Sequence, residues 1–182
     1  MKKYLFGSIV VVVAVTLGFA FAKTVANNYI FADEAPTQPI NFSHKIHAGD
    51  NNIPCRLCHI YAWRSRVSGV PPVSRCMGCH KAVAVNKPEI KKIHSYWKKK
   101  QPIPWIKVCD LPDYIYFPHK RHVRAGLRCQ ECHGAIETMA KVRRIPDLNM
   151  GWCLDCHRNK SFVGPDGKKR HGPRWDCWDC HI

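Results

Sequence analysis

The longest apolar stretch of the chain stands at its start. After Met1-Lys2-Lys3, residues 4–22 run without a charged side chain. As a helix this stretch would span about 28 Å, close to the roughly 30 Å core of a bilayer. The pattern predicts one N-terminal membrane helix, with Lys2 and Lys3 inside and the remaining chain exported. Ala20-Phe21-Ala22 also fits a cleavage site, so a removable signal peptide is the alternative.

Beyond this stretch the chain shows no sustained helical or strand periodicity. All 13 prolines and nine of the 11 glycines lie beyond residue 22 and divide the chain into short segments, which are typical of turns and irregular connections. We predict an anchor or signal over residues 1–26, a tether over 27–41 and one folded domain over 42–182. Within that domain the pattern favours short α-helices, one of them around residues 88–100, with few or no strands.

The cysteines follow one spacing. Ten of the 11 fall in five C-x-x-C-H motifs, which we number motif 1 to motif 5 in chain order. Their thiols are Cys55 and Cys58, Cys76 and Cys79, Cys129 and Cys132, Cys153 and Cys156, and Cys177 and Cys180. Their histidines are His59, His80, His133, His157 and His181. This spacing lets two thiols form thioethers with one haem while the adjoining histidine meets the iron. Zinc sites and disulfide frameworks do not need that histidine, so we predict five covalently bound haem c groups.

Paired histidines can supply the opposite side of each iron. Phe42-Ser-His44-Lys-Ile-His47 precedes motif 1, and Phe117-Pro-His119-Lys-Arg-His122 precedes motif 3. Residues i and i+3 of a helical turn share a face, and an iron with one bound histidine has one site left. His44, His47, His119 and His122 should therefore ligate four different irons. The chain then consists of two dihaem repeats, about 42–85 and 117–160, and a fifth haem over 161–182.

The fifth distal ligand is left open by the sequence. His94 is favoured because it lies in a helix-compatible stretch between the repeats, and His171, Met139 and Met150 are the alternatives. Cys109, outside the motifs, is most simply a buried thiol. The expected fold class is a multihaem cytochrome c, mostly irregular, with short α-helices at the attachment motifs around five closely packed haems.

The net positive charge of the chain is smaller once the haem propionates are counted. The formal net charge is +16, and the propionates of five haems would lower it toward about +6. No nucleic-acid recognition motif accompanies the lysines, so we expect no nucleic-acid partner. A basic docking face for an acidic redox partner stays open.

Several segments resemble one family. The runs 38–49, 71–80, 102–105, 111–117 and 149–158 are similar to the pentahaem cytochrome subunit of alternative complex III. The paired-histidine elements also resemble class III cytochromes of the c3 and c7 group, which implies bis-histidine ligation. The resemblance implies a subunit held by one N-terminal helix, with its haem domain on the periplasmic side of the bacterial cytoplasmic membrane. It further implies two kinds of partner, the other subunits of a quinol-oxidising respiratory complex and a redox protein. Position 109 is often histidine in that family, and Cys109 departs from it.

Ligand supply separates three functions. A multihaem reductase needs an iron with an open site, whereas six histidines lie outside the motifs for five irons. We therefore predict an electron-transfer subunit without catalytic residues, which relays electrons from quinol oxidation to an acceptor. A multihaem reductase is one alternative, and a free periplasmic shuttle is another if the anchor is cleaved.

Overall fold

The computed structural model describes residues 13–22, 35–171 and 176–181. The chain divides into two units, Met1–Glu34 and Ala35–Ile182. In the first unit, residues 13–22 form helix α1. Among the helices that the structure describes, none is both long enough and apolar enough to cross a membrane. Residues 4–12 of the predicted membrane segment 4–22 lie outside the described residues, and that segment stays a prediction.

The second unit is built from short elements, as the sequence predicts. Its α-helices are α2 (Cys55–Cys58), α3 (Val73–His80), α4 (Pro88–Lys98), α5 (His119–Arg124), α6 (Cys129–His133) and α7 (Met150–Asn159). A π-helical turn covers Lys45–Asp50, and 3₁₀ turns cover Ile136–Thr138 and Cys177–Asp179. The strands β1 (Ser161–Val163) and β2 (Lys169–His171) form an antiparallel hairpin in which Ser161 pairs with His171. Each motif therefore begins on a helical element of its own.

Local sequence explains where these helices begin. Proline stands at or next to the start of several of them: Pro54 before α2, Pro72 before α3, Pro88 as the first residue of α4 and Pro118 before α5. Proline suits this position because the first helical N–H groups have no partner in the helix. The side chain of Asn149 caps α7 by accepting from the N–H of Trp152 at 2.8 Å. Asp176 and Asp179 form a reciprocal capping box on the turn of motif 5.

A small apolar core joins α3 to α4. Its buried members are Ile40, Val73, Met77, Ile90, Ile93 and Ile103. Ile40 is 2% exposed, although the sequence assigns it to the tether. The side-chain amide of Gln38 also exchanges two hydrogen bonds of 2.9 Å with the backbone of Ile106. These contacts make residues 38–41 part of the packed unit, which shortens the predicted tether at its C-terminal end.

The two repeats are tied together by backbone contacts of residues 63–66. The carbonyl of Arg66 accepts from the backbone N–H of His119 at 3.0 Å, and the carbonyl of Ser65 accepts from that of Lys120 at 3.0 Å. Arg124 donates to the carbonyl of Trp63 at 3.2 Å and lies 5.8 Å from the centre of its ring. The start of the second repeat is thus held against the loop that follows motif 1.

Candidate functional site

Four pairs of imidazole rings form the centre of the candidate site. In each pair, one histidine of an F-x-H-x-x-H element lies near the histidine of a motif. The centroid separations and interplanar angles are 6.5 Å and 6° for His44 with His59, 6.1 Å and 71° for His47 with His80, 6.4 Å and 4° for His119 with His133, and 6.0 Å and 64° for His122 with His157. The structure therefore places each predicted distal histidine beside a different motif histidine.

These separations suit a metal ion between the rings. A metal–imidazole bond is about 2 Å long and each ring nitrogen lies about 1 Å from its ring centre, so two imidazoles on one metal have centres about 6 Å apart. The four measured values, 6.0 to 6.5 Å, fall in this range. The donor set is also right, because histidine is an axial ligand of haem iron and the paired thiols are its attachment points. The residues fit haem.

Hydrogen bonds orient most of these rings. The Nδ1 atoms of His47, His59, His80, His119 and His122 lie 2.7 to 3.1 Å from the carbonyl oxygens of Ser43, Gly69, Val83, Arg66 and Pro118. A ring that donates from Nδ1 keeps the lone pair on Nε2 for a metal. Gly69 has a φ of 74°, a conformation that glycine adopts without strain. The buried Nδ1 atoms of His44 and His157 have no hydrogen-bond partner within the described part of the chain.

The phenylalanine of each F-x-H-x-x-H element separates its two histidines. Phe42 meets His44 edge-on, with centroids 4.9 Å apart at 86°, and stacks on His47 at 4.4 Å and 24°. Phe117 repeats this arrangement with His119 at 4.9 Å and 89° and with His122 at 4.3 Å and 26°. One ring thus holds two imidazoles in different orientations, and each of them faces a different motif histidine.

Burial keeps several of the imidazoles neutral. It is the largest cause that lowers the pKa of His44 to about 4, and the nearby His59, His47 and His133 add to the effect. Burial also lowers the pKa of His122 and of His133. A neutral imidazole is the form that binds a metal, so these environments favour ligation.

Neighbouring thiols give the order of the motifs in space. Burial is the largest cause that raises the pKa of each of these thiols, and a thiol of another motif raises it further. The pairs are Cys58 with Cys79, Cys76 with Cys58, Cys129 with Cys55, Cys132 with Cys156, and Cys153 with Cys180. Contacts agree with these pairs: Phe42 lies between the histidine pairs of motifs 2 and 1, and Phe117 between those of motifs 3 and 4. We therefore arrange the motifs in the series motif 2, motif 1, motif 3, motif 4, motif 5. This order differs from that along the chain because the two repeats meet at motifs 1 and 3.

Motif 5 has different surroundings. Within the described part of the chain, the ring beside His181 is that of Tyr114, with centroids 5.9 Å apart and planes at 16°. The N–H of Tyr116 donates to the carbonyl of Cys180 at 2.7 Å, and Ile115 forms a β-bridge with His181. The segment just before Phe117 therefore holds motif 5 against the second repeat.

The four predicted candidates for the fifth distal ligand differ in their exposure and in their contacts. The Nε2 atom of His94 lies 2.8 Å from the carbonyl oxygen of His80, so this nitrogen is used in a backbone hydrogen bond. Met139 is half-buried, and its carbonyl accepts from the N–H of Lys45 beside the first repeat. Met150 is 64% exposed at the start of α7. The side chain of His171 lies outside what the structure describes.

Cys109 makes a contact that no sequence motif predicts. Cys109 is exposed, not buried as expected, and its Sγ atom lies 3.6 Å from Nδ1 of His133 in motif 3. The partners are 24 positions apart, and no spacing rule connects them. The signals in the sequence are that this cysteine stands outside the motifs and that it departs from the family that the chain resembles.

Two comparisons with known proteins bear on this arrangement. Residues 115–182 match the family model described as cytochrome c7 and related cytochrome c. The chain is also 26% identical over 167 residues to "Menaquinone reductase, multiheme cytochrome c subunit" of Nitratidesulfovibrio vulgaris (strain Hildenborough). The aligned region covers 79% of this chain and 76% of that protein. The chain is a multihaem c-type cytochrome. The region of this cytochrome that matches the c7 model contains motifs 3, 4 and 5 together with the second F-x-H-x-x-H element.

Proposed function

We propose that this cytochrome is an electron-transfer subunit that carries five covalently bound haem c groups. The observation that supports this most strongly is the set of four imidazole pairs at 6.0 to 6.5 Å. Bound haem supplies one-electron chemistry. The thiols of the five motifs would hold it covalently, and the motif histidines would bind the irons from one side.

The distal histidines close four of the five sites. His44 would share an iron with His59, His47 with His80, His119 with His133, and His122 with His157. Two imidazoles on one iron leave no position for a substrate, which favours electron transfer over catalysis at these four sites. Electrons would pass along the spatial order of the motifs, from motif 2 through motifs 1, 3 and 4 to motif 5, or in reverse.

For the fifth iron we propose Met150 as the distal ligand. Met150 and Cys153 are separated by three positions on α7, so they share a face of that helix. Cys180 in motif 5 is close enough to the Cys153 thiol to raise its pKa further, after burial as the main cause, which supports motif 5 as the neighbour of this face. The sequence favoured His94, but its Nε2 atom is bonded to His80. A thioether ligand raises the potential of haem iron.

A multihaem reductase is the second candidate, and the surroundings of His181 favour it. Among the described residues, the ring beside His181 is that of Tyr114 and not of a histidine, so motif 5 is where an open iron would lie. Titration of the reduced protein with carbon monoxide, followed by its Soret spectrum, separates the two functions. A relay with five closed irons binds carbon monoxide weakly or not at all. Rapid stoichiometric binding at one haem would support the reductase.

The setting of this cytochrome is also a proposal. The apolar run 4–22 and the basic residues before it support a membrane anchor with the haem domain in the periplasm. The similar protein is named as a subunit of menaquinone reductase, which supports the proposal that this cytochrome belongs to a quinone-linked complex such as alternative complex III. The other subunits of that complex would be its partners. Purification from membranes, with haem staining and identification of co-purifying proteins, tests this. N-terminal sequencing that begins at Lys23 would show instead a cleaved signal.

A further inference from the structure

Helix α4 lies directly on the helix that carries motif 2. Ile90 and Ile93 on one face of α4 are buried with Val73 and Met77 of α3. His94 on the same helix reaches the backbone carbonyl of His80, the histidine of motif 2, at 2.8 Å. The position of α4 is therefore fixed by both apolar packing and a polar contact to motif 2.

The outer face of α4 and the turn after it are strongly basic. Residues 87–100 contain six lysines and one glutamate, a formal charge of +5. Glu89 is engaged by Lys92 at 2.7 Å and by the N–H of Asn41 at 2.8 Å. The other lysines of the stretch are exposed: Lys87, Lys91, Lys98, Lys99 and Lys100. Trp97 is 44% exposed between them. We name this surface, formed by these five lysines and Trp97, the α4 face.

The α4 face covers one end of the series of motifs. Motif 2 has motif 1 as its neighbour, because Phe42 contacts both His47, which faces His80, and His44, which faces His59. Motif 1 is joined in turn to the second repeat, where the carbonyl of Arg66 accepts from the backbone N–H of His119. A relay exchanges electrons with other molecules most readily at its ends, because the distance to an external cofactor is shortest there. A surface next to motif 2 is thus a suitable place for a redox partner.

We propose that the α4 face docks an acidic redox protein, which exchanges electrons with this cytochrome at the site of motif 2. The inference rests on the proposed relay and deepens it by naming one terminus and its partner. One electron moves in each encounter between the partner's one-electron cofactor and the cytochrome, and no bond forms or breaks. Complementary charge accelerates and orients such encounters.

The burial of α4 favours a protein over a lipid surface as the partner. A helix that lies in a membrane interface uses its apolar face to enter the bilayer. In α4 that face, with Ile90 and Ile93 at 9% and 5% exposure, is already packed against α3. What remains is charge around a single exposed tryptophan, and an exposed aromatic within a polar surround is typical of a protein interface.

The test is a stopped-flow measurement of electron transfer from reduced flavodoxin, used as an acidic one-electron donor, to the oxidised full-length cytochrome. We compare the wild type with Lys98→Glu/Lys99→Glu. The matched control is Lys168→Glu/Lys169→Glu, which reverses the same charge at two exposed lysines of the hairpin loop and β2. The α4 variant should lower the second-order rate about tenfold at low ionic strength and flatten its salt dependence, while the control stays close to wild type.

Three outcomes would overturn this proposal. If both variants lost the same fraction of the second-order rate, the effect would come from net charge and not from a docking face. If only the control lost rate, the partner would dock near the hairpin. Binding to vesicles that contain phosphatidylserine, lost only in the α4 variant with the flavodoxin rate unchanged, would assign the face to a membrane. Haem content and potentiometric titration are measured for the wild type and for each variant. If the proposed relay were wrong, the wild type itself would lack the five haems or their redox activity, whereas a wrong docking site would leave both intact.

Discussion

The Sγ atom of Cys109 lies 3.6 Å from Nδ1 of His133, whereas the Nδ1 atoms of His59 and His80 meet backbone carbonyl oxygens at 2.7 and 3.0 Å. Sulfur is a weaker hydrogen-bond acceptor than oxygen. The imidazole of His133 therefore gains less basicity from its partner than those of motifs 1 and 2 do. A less basic ligand stabilises oxidised iron less, so the iron of motif 3 should have a higher potential than a carbonyl partner would give it.

Replacing Cys109 by serine should lower the potential of one haem. A hydroxyl oxygen is the better acceptor, and a change of about 1 kcal/mol in hydrogen-bond strength corresponds to about 40 mV for one electron. Potentiometric titration followed in the visible spectrum measures the shift. Cys109→Ala, which removes the acceptor, is the control and should not lower any potential. If Cys109→Ser left all the potentials unchanged, the contact would have no part in tuning the haem.

Replacing Met150 by alanine should open the fifth iron. The reduced variant should bind one equivalent of carbon monoxide rapidly, which the wild type does not, because its iron would lose the thioether ligand. Met139→Ala and His94→Gln are the matched controls, since both positions were candidates in the sequence. If a control variant bound carbon monoxide and Met150→Ala did not, the residue replaced in that control would be the fifth distal ligand instead of Met150.

Replacing His47 by methionine should raise the potential of one haem and leave the others nearer their original values. His47 is stacked on Phe42 and faces His80 at 6.1 Å, so the change converts one bis-histidine site into a histidine–methionine site, whose potential is higher. Ile46→Met adds the same side chain one position away, at a residue that is 54% exposed, and should shift no potential. An unchanged set of spectra and potentials in His47→Met would remove His47 from the ligands.

Glu89 should make the stability of the protein depend on acid pH. The side chain of Lys92, followed by the backbone N–H of Asn41, lowers the pKa of this carboxyl below its ordinary value of 4.5. Because the pKa is lower in the folded state, the contribution is complete above the unfolded value and is lost as pH falls through the folded value. Glu89→Gln should therefore cost under about 1 kcal/mol at pH 7.

Thermal unfolding of the wild type and of Glu89→Gln, measured between pH 7 and pH 2, checks this prediction. The two curves should differ at neutral pH and converge at the acid end. Asp110→Asn breaks the more exposed pair of Lys107 and Asp110, whose side chains are 76% and 63% exposed, and should change stability less. A difference between wild type and Glu89→Gln that persisted unchanged at the acid end would rule out the pH linkage.

The local parts of the candidate site could be predicted from the sequence because their chemistry lies within a few residues. A C-x-x-C-H motif fixes its own cysteines and histidine, and i, i+3 spacing places His44 beside His47. The short helices follow in the same way from prolines and caps. The structure then brings each predicted distal histidine to a different motif histidine, with similar angles in both repeats.

The parts that depend on packing between the repeats could not be predicted. The order of the motifs in space follows from contacts such as that of Arg66 with His119, which are 53 positions apart. The contact of Cys109 with His133 and the bond of His94 to the backbone of His80 are equally without a local signal. The predicted start of the fold at residue 42 was late because Ile40 is a single apolar residue in a polar stretch, and its burial against α3 and α4 is a tertiary event.

The number of covalently bound haems is measured by the intact mass of the fully matured protein. We expect five haem additions to the polypeptide, and one fewer when Cys177 and Cys180 of motif 5 are both replaced by alanine. A matured wild-type protein with four or fewer haem additions would contradict the five-haem relay.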